Sequence, residues 1–290
     1  AVLGLVPSYF VLDGKEQDEI PNTTQRATMV EAHYTAFCGR KVLDTQLQKA
    51  FSQAARSIEH AFVGPEALLS VFATCDGNHV LMDGCAVLDL GAQTTSLAVY
   101  KNGQYLLNKV VPKGGYHSTR MLEQQGMTFA TAEVLKKQFG YAAPQFVEKN
   151  VRLRVPATPE IGGEMVISSS ELAEAIEMKV KEILEPLLNE LQKIEQRITT
   201  LYITGGGSML QGIADYLQQK TQLRVQYGAH NLLLKNDTEE KYLSPQYAAL
   251  VGTILLGQDY RDNHKNQLVR KPSFFERVKE NTLDMFIDQQ

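Results

Sequence analysis

The chain has 290 residues, a formal net charge of −4 and a hydrophobic fraction of 43%. A chain of this length and apolar content can bury a large core divided among two or more subdomains. The acidic balance argues against nucleic acid as a partner. Cys38, Cys75 and Cys85 follow no disulfide or metal-ligand spacing, which favours a reduced, cytoplasmic protein. No signal-peptide pattern and no run of roughly 18 apolar residues is present.

Residues 1–62 have the pattern of a small α+β unit. Two apolar stretches, Ala1–Leu12 and Thr28–Phe37, predict strands, and the polar stretch Lys15–Gln25 between them predicts a loop. Asp44–Ser57 predicts an amphipathic helix, because its apolar residues recur at helical spacing. These apolar residues are Leu47, Ala50, Phe51 and Ala54.

The next part of the chain predicts a helix followed by a β-meander. Proline suits the first turn of a helix, and an Asn-Gly pair suits a hairpin turn. The predicted elements are a helix at Pro65–Thr74, strands at Cys85–Leu90, Ser96–Tyr100 and Tyr105–Val111, and a hairpin turn at Asn102-Gly103.

The C-terminal half predicts helices and one more strand, which together with the meander indicate a mixed α/β fold with functional loops at strand ends. The predicted elements are a helix from Thr128, an irregular stretch at 141–160, a long helix from about Ser170 with Ser169 or Ser170 as its cap, a strand at Thr200–Thr204, and helices at Gln211–Lys220 and Pro245–Leu256. The apolar stripe of the long helix is Leu172, Ile176, Val180, Ile183, Leu184, Leu187, Leu188 and Leu191.

The first candidate motif begins at Asp89, near the end of an apolar strand, and continues through Gly91, Gln93, Thr94 and Thr95. Backbone N–H groups in such a turn can cradle a phosphate, and threonine hydroxyls can donate further hydrogen bonds. An aspartate at a strand end can hold a water molecule bound to Mg²⁺. An Asp-x-Gly hairpin is also a common structural turn, so this motif alone does not identify a site.

The second motif is the run Gly205, Gly206 and Gly207, which is followed by Ser208 and Met209 at a strand-to-helix junction. Glycines let a ligand lie against bare backbone, and the helix N-terminus that follows is open to a polar group. A tight structural turn would need only one glycine, so three in a row favour ligand contact.

The third motif is Glu133 with Lys136, three residues apart on one helix face. Such a pair could hold the hydroxyl groups of a ribose or the edge of an adenine. The alternative is an ordinary surface ion pair, worth about 0.5 kcal/mol at most.

The order of these motifs resembles the superfamily of actin, heat-shock chaperone and sugar-kinase ATPases. Three passages are similar to FtsA, the actin-like cell-division ATPase family, more specifically: Leu5–Gly14, Gly114–Thr119 and Ser244–Gly252. In that family the second passage is a Gly-Gly-x-His-x-Thr turn. The likeness extends over residues 1 to about 257. It implies an α/β, actin-like (RNase H-like) ATPase fold with the small subdomain distinctive of the family.

The resemblance implies ATP and Mg²⁺ as ligands and, as activity, at most a weak ATPase. Asp89 would position Mg²⁺ and the γ-phosphate, and Glu133 with Lys136 would contact ribose and adenine. The residues implied for the second phosphate loop are Gly91, Gln93, Thr94 and Thr95. The residues implied for the adenosine loop are Gly205, Gly206, Gly207, Ser208 and Met209.

Two departures from the family pattern bear on ATP binding. The family usually has Gly-Gly-Gly-Thr-Thr-Asp where this chain has Gly91 to Ser96, so Ala92 and Gln93 add bulk near the phosphates. The family also has an earlier Asp-x-Gly hairpin, the first phosphate loop, and no residues precede Ala1 here to supply it. We therefore expect an N-terminally incomplete fold that binds ATP weakly by itself.

The family's domain plan assigns each part of the chain to a subdomain. The implied divisions are 1–62 as the small FtsA-type subdomain, 63–80 as a remnant of domain IA, 81–114 and 199–257 as domain IIA with the nucleotide loops, 115–198 as domain IIB, and 258–290 as a linker and amphipathic tail.

The tail is similar to the membrane-targeting helix that ends FtsA-like proteins. Residues 261–272 hold four basic residues against one acidic residue, whereas residues 274–290 hold two basic against four acidic. An acidic helix suits anionic lipid poorly, so docking on a protein remains open beside the membrane interpretation. The implied membrane contacts are Phe274, Phe275, Val278, Leu283, Met285 and Phe286.

The implied function is a cell-division scaffold that binds ATP, polymerises, and links the FtsZ ring to the inner face of the cytoplasmic membrane at the division site. The FtsZ C-terminal peptide would contact the subdomain at 115–198 near Glu177 and Lys179, which otherwise form a solvated helix face. Two alternatives are a small-molecule kinase of the same superfamily and an actin-like adaptor with a degenerate nucleotide site. The kinase would need a general base beside the γ-phosphate, and only His117 is a candidate.

Overall fold

The computed structural model describes residues 2–17, 25–76, 83–101, 104–156, 158, 162–194, 198–228, 233–235 and 237–267. Its strands are β1 (Val2–Leu12), β2 (Lys15–Gln17), β3 (Val30–Cys38), β4 (Cys85–Leu90), β5 (Thr95–Lys101), β6 (Gln104–Val111), β7 (Arg152–Pro156), β8 (Glu164–Ser168), β9 (Thr200–Thr204) and β10 (Arg224–Tyr227). Its α-helices are α1 (Lys41–Gln53), α2 (Gly64–Asp76), α3 (Gly115–Glu123), α4 (Phe129–Phe139), α5 (Ser169–Gln192), α6 (Ile213–Thr221) and α7 (Ala248–Gln267).

The centre of the fold is a five-stranded sheet in the order β10-β9-β4-β5-β6. The β4–β5–β6 part is the predicted meander, and β9 and β10 add in parallel to the other side of β4. Because side chains alternate along a strand, the two faces of β4 carry different residues. Ala86 and Leu88 pack in the core beneath α5, whereas Cys85 and Val87 pack in a second core against α2 and α7. The sheet is therefore a layer between two groups of helices.

The long helix α5 forms the main part of one core. Every residue of its predicted apolar stripe is buried. The helix begins one residue earlier than predicted, and its cap is Ser168 rather than Ser169 or Ser170. The reason is a capping box, in which Ser168 accepts from the backbone N–H of Glu171 and the Glu171 carboxylate accepts from the N–H of Ser168.

The small N-terminal unit contains a three-stranded antiparallel sheet in the order β2-β1-β3. The predicted loop at Lys15–Gln25 is wrong at its start, because Lys15–Gln17 pairs with β1. Asp13 and Gly14 both have positive φ angles, the conformation of a two-residue hairpin turn. The contact of Phe37 with Tyr105, at a ring-centroid distance of 5.5 Å, joins this sheet to the edge strand β6.

Helix α1 confirms that an amphipathic helix is present, although it extends over Lys41–Gln53 rather than the predicted Asp44–Ser57, and no residue of this described helix is buried. Leu47 and Phe51, on its apolar face, are 49% and 42% exposed. Helical spacing therefore correctly predicts the helix and its apolar face but not whether the rest of the chain covers that face.

Three further predictions need correction. The Gly-Gly-x-His-x-Thr passage is the first part of α3 rather than a turn, because the His117 side chain accepts from the N–H of Gly114 and caps the helix. The irregular stretch at 141–160 contains β7, which pairs with β8. A 3₁₀ turn at Gly206–Met209 precedes α6, which begins at Ile213 rather than at Gln211.

The predicted hairpin turn at Asn102-Gly103 and the residues implied for membrane contact, from Phe274 to Phe286, lie outside the described residues. Among the helices that the structure does describe, none combines the length and the apolar content needed to span a bilayer. The predicted domain boundaries stay predictions.

Candidate functional site

The parallel pairing of β4 with β9 places the first two motifs side by side. Asp89 on β4 lies opposite Thr204 on β9, so the turn that follows β4 and the glycine run that follows β9 leave the same edge of the sheet. A Cβ atom at Gly205 would lie 2.5 Å from Oδ1 of Asp89, which shows how closely the two loops approach. The two motifs, more than 110 residues apart in sequence, form one site.

The turn at 91–94 rests on the first turn of α3. The N–H of Gly115 donates to the carbonyl of Gly91 at 3.0 Å, and the N–H of Tyr116 donates to the carbonyl of Ala92 at 2.8 Å. A Cβ at Gly114 would overlap the carbonyl oxygen of Gly91 and lie 2.8 Å from that of Ala92. Only glycine allows this approach, so Gly114, in the second of the three family-like passages, is a packing requirement of the turn.

The N–H groups of Ala92, Gln93 and Thr94 face no acceptor among the described residues. Gln93 and Thr94 are exposed, and none of the three has a positive φ angle, so Ala92 and Gln93 impose no backbone strain. Successive free N–H groups in a turn are suited to an anionic group such as a phosphate. Thr95 differs from them, because its buried hydroxyl donates to the carbonyl of Lys113 at 2.9 Å and holds the hairpin.

Asp89 is half-buried, and burial raises the pKa of its carboxyl group. It lies opposite Ser96 on β5, at the position where the family pattern has an aspartate. Within the described residues, no three His, Cys, Asp or Glu side chains lie close enough together to hold a metal ion. One carboxylate still fits Mg²⁺ that arrives with a phosphate ligand, because Mg²⁺ keeps several waters and often uses only one or two carboxylates.

The 3₁₀ turn in the glycine run is held by a hydrogen bond between its own residues. Ser208 is buried, and its hydroxyl donates to the carbonyl of Gly205 at 2.7 Å. The Thr204 hydroxyl donates to the carbonyl of Pro245 at 2.8 Å, so the start of the run is fixed to the segment before α7. Met209 is exposed at the end of the turn, where its side chain can contact a ligand.

Glu133 and Lys136 form a partly buried ion pair at 2.6 Å rather than a surface pair. Thr119 of α3 joins them, since its Oγ1 lies 2.5 Å from Oε2 of Glu133 and 2.6 Å from Nζ of Lys136. Lys136 also donates to the carbonyl of Gly115 at 3.0 Å, and Lys137 lies 3.1 Å from the other carboxylate oxygen of Glu133. The third motif is thereby connected to the helix that supports the turn at 91–94.

These contacts determine the ionisation of Glu133. Burial acts to raise the pKa of its carboxyl group, but the hydrogen bonds from Lys136, Thr119 and Lys137 outweigh it and lower the pKa to about 2. Glu133 is therefore a carboxylate at neutral pH and can accept hydrogen bonds from ligand hydroxyl groups.

A cavity of about 680 Å³ lies between these three motifs. This volume falls within the range of roughly 300–1,000 Å³ that is usual for small-molecule sites. The predicted site residues that line it are Gly91, Thr95, Glu133, Lys136, Gly206, Gly207 and Met209. The predicted residues that do not line it are Asp89, Gln93, Thr94, Gly205 and Ser208.

One wall of the cavity is apolar, and the sequence motifs did not indicate it. Ile176, Val180, Ile183 and Leu184 line this wall, and Phe129 lies at the start of α4. The first four belong to the apolar stripe predicted for α5. The helical spacing of these residues indicates that they are buried, but it does not indicate that they also face a cavity. Apolar contact of this kind suits a planar base.

Glu177 and Lys179 lie on α5 outside the cavity. Glu177 pairs with Lys181 at 2.9 Å, and Lys179 pairs with Glu182 at 2.5 Å. Both residues are partly exposed and project from different sides of the helix, because two residues correspond to about 200° of rotation.

Comparison with known proteins identifies the family. The family model "Cell division protein FtsA" matches residues 86–252, more than half of the chain. The chain belongs to the FtsA family. It is 27% identical to FtsA of Bacillus subtilis over 87% of this chain and 56% of that protein. It is 24% identical to FtsA of Escherichia coli over 93% of this chain and 65% of that protein. The chain thus spans roughly half to two thirds of the length of these FtsA relatives.

Solved structures establish the actin-like fold. The structure of MreB5 of Spiroplasma citri bound to AMPPNP has a TM-score of 0.58 and 18% identity, and the match covers 78% of this chain and 67% of that chain. A PilM–PilN type IV pilus biogenesis complex gives a TM-score of 0.63 at 18% identity, covering 87% and 66%. FtsA family membership and the actin-like α/β fold, both expected from the sequence, are confirmed.

Proposed function

We propose that this FtsA-family chain is an actin-like cell-division scaffold that binds ATP with Mg²⁺ in the cavity described above, with at most weak ATPase activity. The observation that carries the proposal is the convergence of three motifs on one cavity. The turn at 91–94 offers free N–H groups, the glycine run offers bare backbone, and Glu133 with Lys136 offers a carboxylate and an ammonium.

Each part of the site has a role in this proposal. The N–H groups at 92–94 hold phosphate oxygens, Glu133 and Lys136 hold the ribose, and Met209 with the apolar wall covers the base. Gly91, Thr95, Gly205, Gly206, Gly207 and Ser208 shape the two loops. Mg²⁺ would neutralise phosphate charge, and Asp89, whose carboxylate lies against Gly205 of the glycine run, would hold it.

The nucleotide part is tested by isothermal titration of the 290-residue chain with ATP and Mg²⁺. Lys136→Met is expected to weaken binding about tenfold or more, because it removes a charged hydrogen-bond donor at the site. Lys193→Met, at the far end of α5, is the matched control and is expected to bind as the wild type does. Absence of both heat and thermal stabilisation with millimolar ATP would contradict the proposal.

The scaffold part of the proposal concerns self-association and the membrane. The chain forms filaments, and the tail at 274–290 attaches them to the inner face of the cytoplasmic membrane at the division site through the apolar residues of its amphipathic pattern. The full-length chain is expected to co-sediment with phospholipid vesicles, and deletion of residues 272–290 is expected to abolish this co-sedimentation. A full-length chain that stays in the supernatant would argue for the protein-docking alternative.

The proposed partner is the C-terminal peptide of FtsZ, held by the surface of 115–198 that includes Glu177 and Lys179. Fluorescence anisotropy with a labelled FtsZ peptide tests this surface. Glu177→Lys is expected to weaken binding, and Glu185→Lys, an exposed site on the same helix, is the control for the charge change. Equal affinity of both variants would remove this surface from the proposal.

A further inference from the structure

Thr119 is a fully buried polar residue at the back of the ion pair. Its hydroxyl lies 2.5 Å from the Glu133 carboxylate, 2.6 Å from the Lys136 ammonium and 3.1 Å from the carbonyl of Gly115. A threonine hydroxyl has one proton to donate. The Glu133 carboxylate receives this proton, because its contact with the hydroxyl is charge-assisted and shorter than that of the Gly115 carbonyl. The Lys136 ammonium in turn donates to the hydroxyl oxygen of Thr119. The hydroxyl is therefore a bridge between the two charged side chains.

The same helix turn also holds the phosphate-binding turn. Gly115 donates its N–H to the carbonyl of Gly91 and accepts from Lys136 through its own carbonyl, both at 3.0 Å. Thr119 lies one helical turn further along α3, so Gly115, Thr119 and Lys136 form one connected group. The position of Glu133 and Lys136 relative to the turn at 91–94 is set through α3.

We propose that Thr119 is a positioning residue, which aims Glu133 and Lys136 at the ribose hydroxyl groups and so gives the site its preference for ribonucleotides. The inference rests on the proposed ATP binding. Without the bridging hydroxyl, Glu133 keeps only its contacts with Lys136 and Lys137, and both of these partners have long, flexible side chains. The pair then retains its charge but loses its fixed direction.

The test compares Thr119→Val, which has nearly the same shape but no hydroxyl, with Thr119→Ser, which keeps the hydroxyl. Calorimetry with Mg²⁺ measures the affinity of each protein for ATP, 2′-deoxy-ATP and 3′-deoxy-ATP. The wild type is expected to prefer ATP over at least one deoxy analogue. Thr119→Ser keeps that preference, whereas Thr119→Val lowers ATP affinity about tenfold and leaves the affinity for that analogue nearly unchanged.

The outcomes separate the inference from the function on which it rests. Equal weakening of all three nucleotides in Thr119→Val would indicate a purely structural role and overturn the inference, as would an unchanged preference. Wild-type protein that binds no nucleotide would overturn the proposed function together with the inference. Thr119→Ala provides a second hydroxyl-free variant if Thr119→Val does not fold, and thermal melts of each variant establish this.

Discussion

At the scale of single residues, Gly114 has no room for a side chain in the candidate site. A Cβ atom there would overlap the carbonyl oxygen of Gly91 and press on that of Ala92, and both carbonyls belong to the turn that α3 supports. Its φ of −166° is extended backbone that other residues adopt, so close packing alone requires glycine. In the sequence, Gly114 and Gly115 are recognisable only as part of a family-like turn, and the structure shows that the two glycines differ in what they require.

Gly114→Ala is expected to lower the free energy of unfolding by about 1–3 kcal/mol, the usual cost of forcing extra volume into a packed site. Gly115→Ala is the matched control, because the nearest atom to a Cβ there is the Lys136 ammonium at 3.6 Å, an ordinary contact. Urea unfolding of both variants measures the difference. Equal stability of the two would show that the turn can move away from α3.

The ion pair at Glu133 makes stability depend on pH. The pKa of Glu133 is lowered from its ordinary 4.5 to about 2 in the folded chain, so the unfolded chain binds the proton more readily. Its stabilising contribution is therefore fully present above the unfolded pKa and is lost as pH falls from there through the folded pKa.

Glu133→Gln should accordingly lower Tm at about pH 7, and the difference from wild type should shrink toward about pH 3. Lys136 and Lys137, which pair with Glu133 in the wild type, are present in both proteins. Glu174→Gln, exposed on α5, controls for the general cost of replacing a carboxylate by an amide. A Tm difference that is constant with pH would mean that the carboxylate contributes no net charge interaction.

At the scale of elements, α1 and α5 show what hydrophobic spacing predicts. Both helices follow from apolar residues at helical spacing, and the structure confirms both. Leu187 of α5 is fully buried in the core between α5 and the sheet, whereas Leu47 of α1 is half exposed. The pattern fixes which face of a helix is apolar, but the partner of that face depends on contacts distant in sequence.

The two helices should respond differently to substitution. Leu187→Ala is expected to cost about 2–5 kcal/mol of unfolding free energy, because it leaves a cavity in the core. Leu47→Gln is expected to change it by no more than about 0.5 kcal/mol, as at other exposed sites. Denaturant unfolding of the 290-residue chain compares them directly. A large loss for Leu47→Gln would mean that another surface covers α1 in solution.

The same limit explains which parts of the site the sequence predicted. The turn at 91–94 and the glycine run at 205–207 were predictable, because turn conformation depends on residues that are neighbours in sequence. The link through Thr119 was not predictable, since it depends on α3 lying against α4, and the passage that carries Thr119 has the pattern of a turn. The apolar wall of the cavity could not be predicted from the sequence for a related reason. One apolar stripe on α5 packs in the core and also lines the cavity.

At the scale of the whole molecule, early and late segments of the chain meet between α2 and α7. The two helices cover one face of the central sheet. His60, just before α2, stacks on Tyr260 of α7 at a ring-centroid distance of 4.6 Å. At Gly252 of α7 a Cβ would overlap the carbonyl oxygen of Ala67 on α2 and lie 3.1 Å from its Cα. The separation of the two helix axes is set by this glycine.

Gly252→Ala should therefore push α7 away from α2 and expose part of the core that Leu68, Val71 and Val251 share. We expect a loss of about 1–3 kcal/mol, because the overlap is with backbone that no rotamer change can relieve. Gly257→Ala on the same helix meets no atom within 4 Å and should be neutral or stabilising, by up to about 1 kcal/mol, through helix propensity. Thermal unfolding ranks the two. If Gly252→Ala were as stable as Gly257→Ala, α2 and α7 would be able to move apart without loss of unfolding free energy. The core between these two helices and the sheet would then not depend on their close contact.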